Sequence, residues 1–572
     1  MMGRIHMGNT SLGSLLAALL AAGSSAMAAD VTPQRLASPE PGNWLTNHRT
    51  YDAQRFAPLA QINKTNVRNL KLAYAVAIGG SAPGENLQAT PLVDDGYIYV
   101  VDAWGVVYKI DGRDGQTGRI VWRMDPGQEK KAQSNRGAAL WGNLVISHAN
   151  FPARVVATNR DTGKLVWETN VQDQPDLLLT SAPLPIRDRI VVGAAGGDKG
   201  VRDWIASFDA ATGKLQWKKF VIPAPGEPGG ETWKDKNNAY LTGGGALWVT
   251  GSYDVAAHRT FWGVGNPVPM LDPFYRPGDN LYTNSVIVLD PDDGKMLWHH
   301  QYTPGDMWDY DEVGSHILID AEVGGQKRTL VTHSARNGFL YTFERGNGQT
   351  VFAKPYIENV NWTKGIDQKT GRPIDYDPAR DVQVYSGLAN QTPQQPTRTM
   401  CPSPSGGNNF WPTSYSQRTK MLYIPALTNC VEVTLKQELT NKAASWRGGS
   451  YTRGTLAYTT QFSISDPLTG DTKKKITLPY ADYSGALTTA GGLVFTAIND
   501  GSFMAFDDET LDMLWRINLG TGFTAPPMTF EAGGRQFIGI LSGGSPIAIG
   551  KNVTSPELKD MRNQTLLWVF AL

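Results

Sequence analysis

The chain is short of cysteine, of charge and of long apolar runs, and each shortage removes a class of protein. Two cysteines in 572 residues cannot staple a small disulfide scaffold. Neither stands in a CxxC or CxxCH spacing, which excludes a thioredoxin-type site and covalently attached haem. Lys+Arg and Asp+Glu are equal at 53 each and no long basic run occurs, so nucleic acid is not an expected partner. Past residue 30 no stretch approaches the roughly 18 uninterrupted apolar residues of a membrane helix, so no membrane span is expected. Helical heptads are absent too. Charged residues make up only 19%, against 10% aromatics and 61 Gly, a composition of a turn-rich, well-packed chain rather than a disordered one.

Residues 1–30 combine a basic start at Arg4, an apolar run over 12–22 and the small-residue pattern Ala26-Met27-Ala28. That order of parts is a secretory signal peptide cleaved after Ala28, leaving 29–572 as an exported, periplasmic protein. In an oxidising compartment Cys401 and Cys430 are expected to pair.

One phrase recurs through the mature chain: apolar alternation, an Asp or Asn, a turn, then Trp. It reads VVATNRDTGKLVW (155–167), IASFDAATGKLQW (205–217), VIVLDPDDGKMLW (286–298) and FMAFDDETLDMLW (503–515). Looser copies are VYKIDGRDGQTGRIVW (107–122), LYTFERGNGQTVF (340–352) and FSISDPLTGDTKKKI (462–476). Period-2 alternation on both sides of a turn predicts β-hairpins. Hairpins repeating along a chain cannot each bury a face alone and pack on one another, which predicts an all-β propeller of eight blades. Its final blade would join LKLAYAVA (70–77) to TLLWVFAL (565–572). Trp167, Trp217, Trp298 and Trp515 then serve as blade-to-blade packing. The rhythm breaks near 221–285 and 353–420, the expected loops over a functional face.

The segment TPGDMWDYDEVG (303–314) crowds Asp306, Asp309 and Asp311. In an extended strand, residues two apart point the same way, so Asp309 and Asp311 are expected to share a site. Two adjacent carboxylates repel unless a cation or proton compensates, and a hard metal ion is one such partner. A glycosidase acid–base pair and a solvated acidic loop are the alternatives. Asp198 in VVGAAGGDKGVRDW and Asn266 in FWGVGNPVP would complete an all-oxygen site with Asp309, suited to Ca²⁺ and poor for Zn²⁺.

Ten ordered blocks, among them TYDAQRFAPLAQINKTNVRNL (50–70), NRGAALWG (135–142), GGALWVTGSYD (244–254), WGVGNP (262–267), PGDMWDYDEVG (304–314) and CPSPSGGNNFWP (401–412), resemble the pyrroloquinoline quinone (PQQ) dependent alcohol dehydrogenases related to methanol and ethanol dehydrogenases, here without a haem domain. The resemblance implies an eight-bladed propeller that oxidises an alcohol and passes electrons to an external acceptor such as a periplasmic cytochrome c. It implies that the quinone stacks on Trp248, that Arg136 pairs with a cofactor carboxylate, and that Thr180 and amides near Gly196 and Gly197 bind further carboxylate oxygens. Asp198, Asn266 and Asp309 take the metal-ligand places, Arg336 donates to the quinone oxygens, Asn409 lines the pocket, Asp309 is the general base, and Cys401–Cys430 matches a loop-closing disulfide.

The chain also departs from the family. Asp198 stands where Glu is usual, Gln88 where Glu is frequent and Ala195 where Ser is. Ala132-Gln133-Ser134 replaces the adjacent-cysteine disulfide of the methanol and ethanol enzymes, which with the long loops at 255–285 and 353–400 points to a bulky secondary alcohol. Asp311, two residues past the base, resembles lanthanide-using relatives and makes a lanthanide the alternative, while the shortened Asp198 keeps Ca²⁺ as the metal expected. A non-catalytic scaffold or binding propeller is the rival function.

Overall fold

The computed structural model describes residues 1–3, 29–79, 85–131, 133–437, 446–452, 458–543, 555–558, 560–561 and 563–572. Most of the expected leader, 4–28, lies outside them. Among the described residues one short helix, Pro33–Ala37, and a few 3₁₀ turns accompany seven four-stranded antiparallel sheets and an eighth to which Phe56–Ala57 adds a fifth strand in parallel, plus two smaller side sheets.

The sheet made of Leu184–Ile186, Arg189–Gly193, Trp204–Asp209 and Leu215–Phe220 is typical, with its strands paired in chain order. Its first three strands are almost wholly buried, whereas the fourth is mostly exposed or half-buried. This explains why inner strands read as apolar runs and outer strands carry Lys and Gln.

The repeated phrase is the third strand, its turn and the fourth strand. At the turn, Asp209 Oδ1 accepts the Thr212 N–H at 2.9 Å, and Gly213 takes a left-handed φ of 72°. Asn159 caps Thr162 in the same way, also at 2.9 Å. An Asx side chain satisfying its own turn is the reason the Asp or Asn recurs. In the last full copy Leu511 occupies the left-handed position with φ 57°, where the others have Gly.

Except for Trp515, each aromatic at the end of a phrase docks on the turn of the next sheet. The Trp217 indole N–H donates to Pro291 O at 2.9 Å, and a Cβ on Gly294 would stand only 2.7 Å from its ring. Trp122 meets Gly163, Trp167 meets Gly213, Trp298 meets Gly348 and Phe352 meets Gly470 in the same manner. Trp515 donates to Leu70 O at 3.0 Å, just before the strand Lys71–Ala77. That strand pairs with Leu566–Ala571, so the two ends of the chain share one sheet as expected. Phe537 of the same sheet packs on Gly115 of the sheet spanning 92–124.

Topology places the site. In a four-stranded meander the loop entering the first strand and the loop joining the second to the third lie at the same end of the sheet. Gln88, Arg136, Thr180, Trp248 and Asn409 each precede a first strand by a few residues, and Asp309–Asp311 precede Ile317–Val323. Asp198, Asn266 and Arg336 sit in second-to-third connections.

Candidate active site

Segment 303–314 is a loop between the strands Met296–Gln301 and Ile317–Val323, not the extended strand expected from its spacing. Asp309 adopts φ 66°, in the left-handed region. The cause is local hydrogen bonding: Asp306 Oδ1 accepts the Trp308 N–H at 3.0 Å and its Oδ2 accepts the Tyr310 N–H at 3.1 Å, curling the chain. Asp309 and Asp311 nevertheless converge, because Arg336 gathers them. One guanidinium nitrogen, Nη1, donates to Asp309 O at 2.7 Å and Asp311 Oδ2 at 2.8 Å, and stands 3.5 Å from Asp309 Oδ1.

Asp311 Oδ1 accepts the Asn266 N–H at 2.6 Å, which ties in a second connection. Asn266 O accepts the Gly245 N–H at 3.1 Å, three residues before Trp248. Arg136 lies over the Trp248 ring at 4.4 Å and donates to Trp248 O at 2.9 Å. Thr180 Oγ1 donates to the same carbonyl at 3.3 Å, and Phe410, next to Asn409, is 6.3 Å from the indole. Gln88 is set beside Arg136 by its N–H bond to Asn135 O at 3.1 Å. Gly196 and Gly197 form the tight turn carrying Asp198, whose carbonyl accepts the Trp446 N–H at 2.5 Å.

The charges are strongly perturbed. Burial, opposed by Arg336 and reinforced by Asp311 and Asp198, holds the Asp309 carboxyl well above its usual range. Burial and then the Asp311 charge push Asp198 up to about 7. Burial lowers Arg136 to about 9, against the pull of Asp311. Arg336 pays the same burial penalty, but Asp311 and Asp309 outweigh it and its pKa is raised.

Two observations test whether these residues fit a polar cofactor and a cation. Gln88 Oε1, Arg136 Nε, Arg336 Nε and Asn409 Oδ1 are buried without a hydrogen-bond partner, and such an atom costs about 1–3 kcal/mol unless something polar meets it. The donor set Asp198, Asn266, Asp309 and Asp311 offers only oxygen ligands, and the raised carboxyls of Asp198 and Asp309 are what a hard cation relieves. The residues fit. They are not drawn up into a closed shell, however: among the described residues the carboxylate and histidine groups with ligand atoms all within 4.8 Å are His258–Asp290–Asp292 and Asp507–Asp508–Glu509, on outer turns. Asp311 is instead engaged by Arg336 and the Asn266 amide.

A family model described as "Glucose/ethanol/alcohol dehydrogenase, beta-propeller domain" matches residues 44–358 and 452–538. The chain belongs to the PQQ-dependent alcohol dehydrogenases. This quinoprotein is 31% identical to quinoprotein alcohol dehydrogenase PedH of Pseudomonas putida, over 98% of this chain and 96% of that one. It is 32% identical to quinohemoprotein alcohol dehydrogenase ADH IIB of Pseudomonas putida, over 98% of this chain and 82% of the relative. Among solved structures a europium-containing methanol dehydrogenase aligns with a TM-score of 0.85 at 28% identity, covering 94% of this chain and 99% of that one. The enzyme is therefore an all-β propeller oxidoreductase acting on alcohols, with PQQ and Ca²⁺ or a lanthanide as cofactors. Cys401 and Cys430 are disulfide-bonded. No helix among the described residues is long and apolar enough to cross a membrane.

Two neighbours of the quinoprotein's aspartates escaped the sequence reading. Tyr451 O–H donates to Asp309 Oδ2 at 3.4 Å across a separation of 142 residues, which no motif announces. Glu312, directly after Asp311, is fully buried and accepts the Arg336 N–H at 2.8 Å; its signal was the continuation of the acidic run.

Proposed function

We propose that this enzyme is an exported, periplasmic dehydrogenase that oxidises a bulky secondary alcohol to its ketone and hands electrons to an external acceptor such as a cytochrome c. Residues 1–28 are its signal peptide and 29–572 its propeller. The eight sheets are eight blades of one ring, a reading supported by the succession of aromatic dockings and by the sheet shared between both chain ends.

When bound, PQQ with its cation supplies a hydride acceptor polarised by a Lewis acid. The protein's own residues do the rest. Asp309, ionised once a cation offsets its neighbours, takes the proton of the substrate hydroxyl. Arg336 fixes Asp309 through the main-chain carbonyl, and its unpartnered Nε is free to donate to a quinone oxygen. Trp248 offers a flat apolar face, and Arg136, Thr180, Gln88, Asn409 and the Gly196–Gly197 turn surround it with polar groups for carboxylates. Asp198, Asn266, Asp309 and Asp311 hold the cation, Ca²⁺ in the first instance, with Asp311 supplying the further charge that a lanthanide favours. Tyr451 narrows the approach to Asp309, and the segment 446–452 lies against Asp198.

The observation that carries this reading is the single Arg336 nitrogen shared by Asp309 and Asp311. The test is reconstitution of the cofactor-free protein with PQQ and either Ca²⁺ or a light lanthanide, followed by dye-linked assay against primary, secondary and bulky cyclic alcohols. Turnover highest on cyclic secondary alcohols is expected. Turnover confined to small primary alcohols overturns the substrate assignment, and absence of PQQ binding favours a scaffolding propeller.

A further inference from the structure

Behind the two aspartates lies a buried acid for which the proposed chemistry has no task. Glu312 is completely enclosed. Its Oε2 accepts the Arg336 N–H at 2.8 Å, and its Oε1 accepts the Asn337 N–H at 3.3 Å. The same Oε2 stands 3.1 Å from His333 Nε2. His333 Nδ1 faces Ser315 O at 3.2 Å, and because a carbonyl only accepts, that nitrogen is the donor. One proton then lies between Nε2 and the carboxyl, and the pair is closed on itself.

The imidazole is braced as well. His333 stacks on His316 with centroids 4.1 Å apart and planes 7° from parallel. Tyr302 O–H lies 3.0 Å from His316 Nε2, and burial keeps His316 neutral. Glu312, His333, His316 and Tyr302 thus form one enclosed block, joined to the site by the Glu312 side chain's hold on the 336–337 backbone and by the chain itself, since Glu312 follows Asp311. Arg336 is held at its root by this block and at its tip by Asp309 and Asp311. A buried acid is costly unless fully hydrogen-bonded, so its place here asks for a role that an apolar residue cannot fill.

We propose that Glu312, braced by His333, is a positioning residue for Arg336: it clamps two consecutive amides so that the guanidinium leaves the backbone toward the Asp309–Asp311 pair. The inference rests on the reading of Arg336 as a quinone-facing residue. The chemistry is selective. Gln would turn an NH₂ toward one of the two amide hydrogens, and Asp would fall one methylene short of both.

The test is a double-mutant cycle on PQQ affinity, measured at fixed Ca²⁺ by quenching of tryptophan fluorescence in cofactor-free protein. The native enzyme is compared with E312Q, R336K and the double variant, and the melting temperature of each is recorded. E312Q is expected to raise Kd about 10-fold in the native background and less than about 2-fold beside R336K, since coupled residues are non-additive. The same factor in both backgrounds, or no effect in the native one, overturns the proposal. Should E312Q fail to fold, H333Q is put through the same cycle, with about a 3-fold effect expected in the native background and none beside R336K. If R336K alone leaves Kd unchanged, the reading of Arg336 itself is wrong. If R336K weakens binding and E312Q does not, only the positioning role is lost.

Discussion

Arg336 Nη1 lies 2.7 Å from the main-chain oxygen of Asp309 but 3.5 Å from its carboxylate Oδ1. The arginine therefore fixes where Asp309 sits without neutralising it through a short ion pair, and Asp311 takes the close contact instead. The arrangement leaves the Asp309 carboxylate available as a base. Asp309→Asn keeps the shape and the Arg336 contact to the backbone. We expect dye-linked turnover to fall by about 10²–10⁴-fold with PQQ still bound. Unchanged turnover in the PQQ-loaded variant would exclude Asp309 as the base.

Cation binding is expected to depend on pH. Without a cation, burial and mutual repulsion raise Asp198 to about 7 and Asp309 well above its usual range. A hard cation needs both ionised, so it must displace protons. Affinity for Ca²⁺ or a lanthanide should therefore climb between about pH 5 and 8 and level off only as the carboxyls lose their protons. Calorimetry of the cofactor-free protein in buffers of different ionisation enthalpy should report proton release at pH 6. A pH-independent affinity would mean that these carboxyls are not the ligands.

The docking succession makes a stability prediction. A Cβ at Gly294 would stand 2.7 Å from the Trp217 ring and sit on a residue with φ 70°. Gly294→Ala therefore adds a steric clash to a left-handed backbone, while Trp217→Ala removes the ring and its N–H bond to Pro291 O. Trp-to-Ala losses in packed regions are about 3–5 kcal/mol. Both variants should melt earlier in differential scanning calorimetry, and the double variant should lose less than the sum, since the clash of a Cβ at 294 exists only while the Trp217 ring is present.

Legibility followed the range of the interactions. The Asx cap, the left-handed turn residue and the docking Trp all lie within one phrase, so the repeat announces them, even where Phe352 replaces Trp. The sheet shared by 71–77 and 566–571 is readable as two apolar segments left over at opposite ends. Asp309 and Asp311 were readable as a cluster, but their geometry was not: strand alternation would align them, whereas Asp306 caps a loop and Arg336 gathers them. The Glu312–His333 pair and the Tyr451 contact depend on how separate sheets and loops meet, and no local pattern encodes that.

The Cys401–Cys430 disulfide ties two segments 29 residues apart, and its loop reaches the site through Tyr310, whose O–H donates to Pro402 O at 2.7 Å. Tyr310 lies between Asp309 and Asp311, so slack in the loop is transmitted to both carboxylates. The chain-entropy contribution of closing a loop of this length is about 3–4 kcal/mol. Cys401→Ser with Cys430→Ser should therefore lower the melting temperature of the cofactor-free protein. It should also weaken cation affinity, because the loop no longer anchors Tyr310. Adding Tyr310→Phe separates the two effects: in the native protein it should weaken cation binding with little change in melting temperature, and in the double-serine variant it should change cation affinity hardly at all. A full additional loss there would show that the loop does not act through Tyr310.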